Sequence, residues 1–162
     1  MHETGGTEMP ATATVAAKKG SALRAIGIGG LLAGTLDLTQ ASILFGVRVP
    51  LVIAAGLLGR SALHGGAGIF ALGVLLHFFI AISAAATYYA ASRRLPFLAE
   101  NWLICGLFFG AAVEIVMNLI VLPLSALHDA GPYQWRDLVL GLGVHMIVIG
   151  LPIAYCLRRF GR

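Results

Sequence analysis

The run GIFALGVLLHFFIAISAAATYYA, residues Gly68–Ala90, decides the fold class of this chain. It contains no Lys, Arg, Asp or Glu, and it exceeds the ~20 apolar residues that cross a hydrocarbon layer ~30 Å thick. Three other runs approach the same length and apolarity: Ala25–Phe45, Trp102–Leu124 and Leu138–Leu157. The sequence therefore predicts an all-α membrane protein, built as a bundle of four transmembrane helices.

The composition leaves room for one membrane domain, residues 25–162. Of the 162 residues, 59% are hydrophobic and 11% are charged, whereas soluble proteins average about 25% charged residues. The formal charge of +4 comes from basic residues at the ends of apolar runs, which is typical of topology signals. The expected partner is therefore the lipid bilayer and not nucleic acid.

Two segments outside the long runs have predictions of their own. Residues 1–24 are rich in Thr, Ala and Gly without an apolar period, which predicts a flexible tail. Between the first two runs lies VPLVIAAGLLGRSALHGG, whose apolar part Leu51–Leu58 is too short to span. Flanked by Arg48 and Arg60, it is predicted to be an interfacial helix or a re-entrant segment.

The basic residues also predict the orientation. The first and third loops together hold three, and the tail, the second loop and the C-terminus hold eight: Lys18, Lys19, Arg24, Arg93, Arg94, Arg158, Arg159 and Arg162. Positively charged loops stay in the cytoplasm. Both termini are therefore expected to be cytoplasmic.

One strongly polar residue lies deep inside each predicted helix: Asp37, His77, Glu114 and His145. Each is 12 or 13 residues from the cytoplasmic end of its run, which is about 18–20 Å at 1.5 Å per residue. The sequence therefore predicts a buried polar layer near the membrane midplane. Asn118, one helical turn past Glu114, is expected to lie beside it.

Small residues indicate which way these helices face. Glycines precede each polar residue at helical spacing, as in the third run, where Gly106, Gly110, Glu114 and Asn118 follow at intervals of four. Small residues let helices approach closely. The glycines expected to pack helix against helix are Gly30, Gly34, Gly106, Gly110 and Gly141.

Three roles remain open for the layer. Two histidine–carboxylate pairs would fix the helix register, or the same groups would relay protons during transport. In the third role His77 and His145 would bind a haem or a transition metal, although no helix carries the Glu-x-x-His signature of di-iron bundles. No nucleophile with a base is recognisable, so the sequence favours a protein that is not an enzyme. Because four short helices enclose little space, transport would be expected to need an oligomer.

The phrases AGTLDLTQA, GLLGRSALHGG, LGVLLHFFIA, YYAASRRLPFL, VMNLIVLPLSA and HMIVIGLPIA resemble a family of small, uncharacterised four-span bacterial inner-membrane proteins. The resemblance covers Gly29 to Leu157 and implies a location in the bacterial inner membrane, but no activity. Glu114 departs from the family pattern, in which an aromatic residue is expected. The function expected overall is association, as an accessory or scaffold subunit or a homo-oligomer.

Overall fold

The computed structural model describes residues 11–128 and 134–161, with side chains from residue 21 onwards. Within these residues, four helices are long and apolar enough to cross a membrane, as the sequence predicted. They are α1 (Ala11–Phe45, with its spanning part at Ser21–Phe45), α3 (Ala67–Arg94), α5 (Trp102–Leu124) and α6 (Trp135–Phe160). The shorter helices are α2 (Val49–Leu58) and α4 (Phe97–Glu100), and a 3-10 turn covers Arg60–His64.

The N-terminal segment differs from the predicted tail. Helix α1 begins at Ala11, so the second half of the segment 1–24 is helical, and residues 1–10 lie outside the described part of the chain. The physical reason is composition, because Ala and Lys between Ala11 and Arg24 favour a helix whether or not an apolar stripe is present.

Neighbouring spanning helices run antiparallel and touch through small residues. A Cβ on Gly30 of α1 would lie 2.7 Å from the Cα of Ile82 in α3. Between α5 and α6, a Cβ on Gly106 would lie 2.9 Å from Cβ of Ala154 and 3.0 Å from the carbonyl oxygen of Gly150. Real Cβ atoms do not approach so closely, so these helices could not pack at this distance with larger residues.

A cluster of buried apolar residues occupies one half of the bundle, and further buried residues, Leu51, Ala54 and Ala55, lie on α2. We call this half the basic end, because α3 and α6 finish there with Arg93, Arg94, Arg158 and Arg159. The core residues lie between the polar layer and this end: Ala33, Ala85, Tyr88, Ile149, Ile153, Ala154 and Leu157. Tyr88 is 2% exposed, packs its ring 4.8 Å from that of Phe109, and donates a hydrogen bond to the carbonyl of Leu98. The basic end is therefore closed by packed side chains.

Helix α2 crosses the opposite end of the bundle, which we call the loop end. A Cβ on Gly73 of α3 would overlap the carbonyl of Pro50, so α2 lies directly on the α3 backbone. Farther along α2, the carbonyl of Gly56 accepts a hydrogen bond of 2.8 Å from the backbone N–H of Ala126, just past α5. Helix α2 thus connects α3 with the end of α5.

Helices α5 and α6 each contain one π-helical turn, Met117–Val121 and Met146–Gly150. Each turn is followed within two residues by a proline, Pro123 and Pro152. Proline has no N–H to donate and collides with the carbonyl four residues earlier. The wider π turn accommodates both effects without ending the helix.

Candidate functional site: a cavity lined by the polar layer

Glu114 of α5 and His145 of α6 form a close pair. Oε2 of Glu114 lies 2.9 Å from Nδ1 of His145, and the side chains are 11% and 21% exposed. The same Nδ1 lies 3.1 Å from the carbonyl oxygen of Gly141. Because both neighbours accept hydrogen bonds, Nδ1 carries the hydrogen, and Nε2 is the other position at which this ring can take up or release a proton.

Gly141 makes room for this pair. A Cβ at this position would overlap the carboxylate of Glu114. We expected Gly141 to pack α6 against another helix. Because it has no side chain, the Glu114 carboxylate can approach the α6 backbone there, one turn before His145. The absence of a side chain at one position therefore sets the position of Glu114.

The second pair, on α1 and α3, is more open. Nε2 of His77 donates a hydrogen bond of 2.8 Å to the carbonyl oxygen of Gly34. Oδ2 of Asp37 lies 3.9 Å from the same nitrogen, which is beyond hydrogen-bond distance. A Cβ on Gly34 would approach the Phe78 ring to 3.0 Å, so the absence of a side chain at Gly34 lets α3 come close enough for this bond.

Asn118 lies where α5 changes from α to π geometry. Its Nδ2 donates a hydrogen bond of 3.0 Å to the carbonyl of Glu114, four residues earlier. The ring of His145 makes the same contact with Gly141 at the corresponding point of α6. Such hydrogen bonds from side chains compete with the hydrogen bonds of the helix backbone and bend helices. The π turns that follow are a feature often found at functional sites.

All five predicted layer residues line one partly enclosed cavity of about 560 Å³. This volume is within the range of small-molecule sites, so the expectation that four helices enclose little space is wrong. Its walls also include residues toward the loop end: Gln40, Leu44, Phe45, Ile53, Gln134, Asp137 and Leu138. Among the described residues, the cavity lining contains three carboxylates, two histidines and no Lys or Arg.

The structure gives little support to a metal centre. Within residues 11–128 and 134–161, no three His, Cys, Asp or Glu side chains are arranged to hold a metal ion. Nε2 of His77 and Nδ1 of His145 are both used in hydrogen bonds. A metal or haem would have to bind Nδ1 of His77 and Nε2 of His145, so these candidate ligands stay a prediction.

Sequence reasoning missed the wall contributed by α2 and the start of α6. Asp137 gave no distinctive signal, because an acidic residue in the first turn of a helix is normal. Ile53 of α2 was seen only as part of a short apolar segment. The two π turns were not predicted, although the prolines after Glu114 and His145 were a visible signal for them.

Comparisons with protein-family models, with curated proteins and with solved structures find no match to this chain. The resemblance to small four-span bacterial membrane proteins therefore stays a prediction.

Proposed function

We propose that this protein binds a small solute in the polar-layer cavity and exchanges protons with it, as a proton-coupled transporter. The observation that carries the proposal is that two histidine–carboxylate pairs line one cavity of small-molecule size. Ionisable side chains are costly inside a membrane and are found mainly where they serve a pathway or a ligand. A purely structural layer would need no cavity beside it.

The two pairs supply the proton chemistry. Glu114 and His145, at 2.9 Å, share one hydrogen in a charge-assisted contact. Oδ2 of Asp37 and Nε2 of His77 are 3.9 Å apart, so a solute atom or a proton can bind to Asp37 on this side. Histidine changes its charge near neutral pH more readily than any other side chain, so a solute entering the cavity meets groups able to give or take a proton.

The bundle also has the parts that alternating access requires. The packing of Tyr88 on Phe109 supports closure at the basic end, and the cavity extends toward the loop end. The π turns Met117–Val121 and Met146–Gly150 lie beside the polar layer, where helices bend most easily. We expect α5 and α6 to hinge there.

The membrane placement belongs to the same proposal. We infer a bacterial inner membrane with both termini cytoplasmic, because the basic residues at the ends of α3 and α6 would then lie inside. Trp102 contacts both the ring of Tyr155 and the guanidinium of Arg158 at this end, an arrangement that suits an interface. The cavity would then face the outer side, with α2 as a re-entrant cover.

Association, the function expected from the sequence, has less support. The glycine-rich helix faces that could serve association are already used within the chain. Gly106 and Gly110 pack against α6, and Gly30 and Gly34 pack against α3. An accessory subunit or homo-oligomer would need another face. An oligomer remains compatible with transport and is a prediction.

A proton-flux experiment tests the proposal. The purified protein is reconstituted into liposomes containing a pH-sensitive dye, and gradients of impermeant solutes are applied: a quaternary ammonium ion, a sulfonate, a zwitterion and a neutral polyol. We expect at least one charge class to drive a protein-dependent change of internal pH. Glu114→Gln should reduce the rate about tenfold or more, since it removes the group that shares a proton with His145.

The matched control is Glu100→Gln, because Glu100 is exposed on α4 and outside the cavity. It should retain the wild-type rate. If no class moves protons through folded wild-type protein, the proposed function is wrong. If Glu114→Gln retains the rate while remaining folded, the Glu114–His145 pair is not the proton pathway.

A further inference from the structure

We propose that the solute is a hydrophobic organic cation and that Asp37 is its counter-charge. This inference rests on the proposed function, because it names the chemical class that the same cavity selects. It follows from the charge of the lining, the difference between the two pairs and the apolar walls.

The charge of the lining selects the sign of the ligand. In the part of the chain that the structure describes, the ionisable lining groups are Asp37, Glu114, Asp137 and the two histidines, and no Lys or Arg contributes. With the carboxylates ionised, the formal charge is −3 when both histidines are neutral and still −1 when both are protonated. In a medium of low dielectric constant, such an imbalance attracts a cation and repels an anion.

Asp37 is the carboxylate of the polar layer that has no close ionic partner. The side chains of Asp37 and Glu114 are 15% and 11% exposed, but Glu114 already contacts His145 at 2.9 Å, whereas Asp37 lies 3.9 Å from His77. Nε2 of His77 donates its hydrogen bond to the carbonyl of Gly34. Asp37 therefore lies near a protonatable side chain but accepts no hydrogen bond from it. A bound cation would complete the interaction that His77 leaves open.

The rest of the lining selects an organic body. Leu44, Ile53, Ile80 and Leu138 contribute apolar side chains to the wall. Phe45 also lines the cavity, and an aromatic ring can bind a cation on its face. A bare metal ion would instead need several ligating groups in one place, and the described residues offer no group of three. A cation with an aromatic or aliphatic body fits this combination.

Proton and cation would compete for Asp37. Either one neutralises its single negative charge, so both do not bind there together. The groups that face this carboxylate across the cavity are His77, Glu114, His145 and, at the mouth, Asp137. Binding of the cation would therefore release the Asp37 proton to water when that carboxyl is protonated, which is the exchange that a proton-coupled transporter needs.

Calorimetry with the full-length protein in nanodiscs tests the inference. The probes are benzyltrimethylammonium, its neutral carbon isostere neopentylbenzene, and the anion phenylmethanesulfonate, each corrected by titration into empty nanodiscs. We expect the cation to bind at least about tenfold more tightly than either other probe. Asp37→Asn should weaken cation binding by about tenfold or more, whereas Glu100→Gln should not change it.

Two further measurements keep the test decisive. If Asp37→Asn does not fold, Asp137→Asn at the exposed mouth replaces it and should weaken binding about two- to fivefold. Equal or tighter binding of the neutral or anionic probe, or full affinity in folded Asp37→Asn, would overturn the inference. Proton flux driven only by the sulfonate or the polyol would refute the cationic solute but would still support a proton-coupled transporter. The absence of all flux and all binding would refute both the transporter and the cationic solute.

Discussion

The backbone of Gly141 and the carboxylate of Glu114 occupy adjoining space in which a Cβ atom has no room. This contact holds Oε2 of Glu114 at 2.9 Å from Nδ1 of His145. The absence of a side chain at Gly141 of α6 therefore determines the position of the Glu114 carboxylate on α5. On the other pair of helices the contact is different: the carbonyl of Gly34 accepts the hydrogen bond from His77, and the space beside Gly34 is filled by Phe78 and Ala81.

Gly141→Ala should displace the Glu114 carboxylate and separate it from His145. We expect a loss of about 1–3 kcal/mol in the free energy of unfolding, the usual cost of overpacking. The measurement is equilibrium unfolding in detergent. Gly143→Ala is the matched control, because nothing lies within 4 Å of a Cβ there and alanine favours the helix. Equal stability of the two variants would contradict the proposed packing.

Gly34→Ala should weaken the bond between His77 and the Gly34 carbonyl. The new methyl group would press on the Phe78 ring at 3.0 Å and on Cβ of Ala81 at 3.1 Å, so α1 and α3 would move apart slightly. We expect the ¹⁵N resonance of His77 Nε2 to shift and the melting temperature to fall. Gly27→Ala, whose Cβ would meet nothing within 4 Å, should leave the resonance unchanged and should not lower the melting temperature, since alanine favours the helix.

Gly73→Ala should release α2 from the bundle. A Cβ there would collide with the carbonyl of Pro50, and backbone cannot yield as a flexible side chain can. Hydrogen exchange over Val49–Leu58 should become at least about tenfold faster while α3 stays protected. Gly68→Ala serves as the control, since its Cβ would point into open space; an equal effect there would show that α2 is held by other contacts.

Elemental analysis of the protein purified in mild detergent should show no stoichiometric iron, zinc or manganese. The reasons are that the described residues contain no group of three ligating side chains and that Nε2 of His77 and Nδ1 of His145 are already used in hydrogen bonds. One iron atom per chain, or per two chains, would contradict this expectation. It would make His77 and His145 the first ligands to examine, and His77→Ala would then have to lose the metal.

The spanning helices were predictable because hydrophobicity along a helix is a local property. The run Gly68–Ala90 is apolar whatever it packs against, and it lies within α3. The common depth of Asp37, His77, Glu114 and His145 follows from the constant rise of a helix. The start of α1 was misjudged because the stretch after Ala11 forms a helix by residue preference without an apolar stripe.

The partners of the polar residues were not predictable in the same way. Spacing placed Glu114 and His145 at similar depth, but the rotation of each helix decides which side chains meet. Gly141 and Gly34 looked like ordinary packing glycines, and their effect on Glu114 and His77 depends on a contact with another helix. The π turn Met146–Gly150 further changes the direction of every side chain after it.

By itself, the sequence determined the four helices long and apolar enough to span a membrane and the similar position of one polar residue along each, because these depend on apolar length and helical rise. The tertiary structure alone decided that Glu114 pairs closely with His145 while Asp37 stays 3.9 Å from His77. It also decided that a cavity of about 560 Å³ lies between them. These features depend on the space that glycines, π turns and α2 leave between helices, which no single segment of the chain encodes.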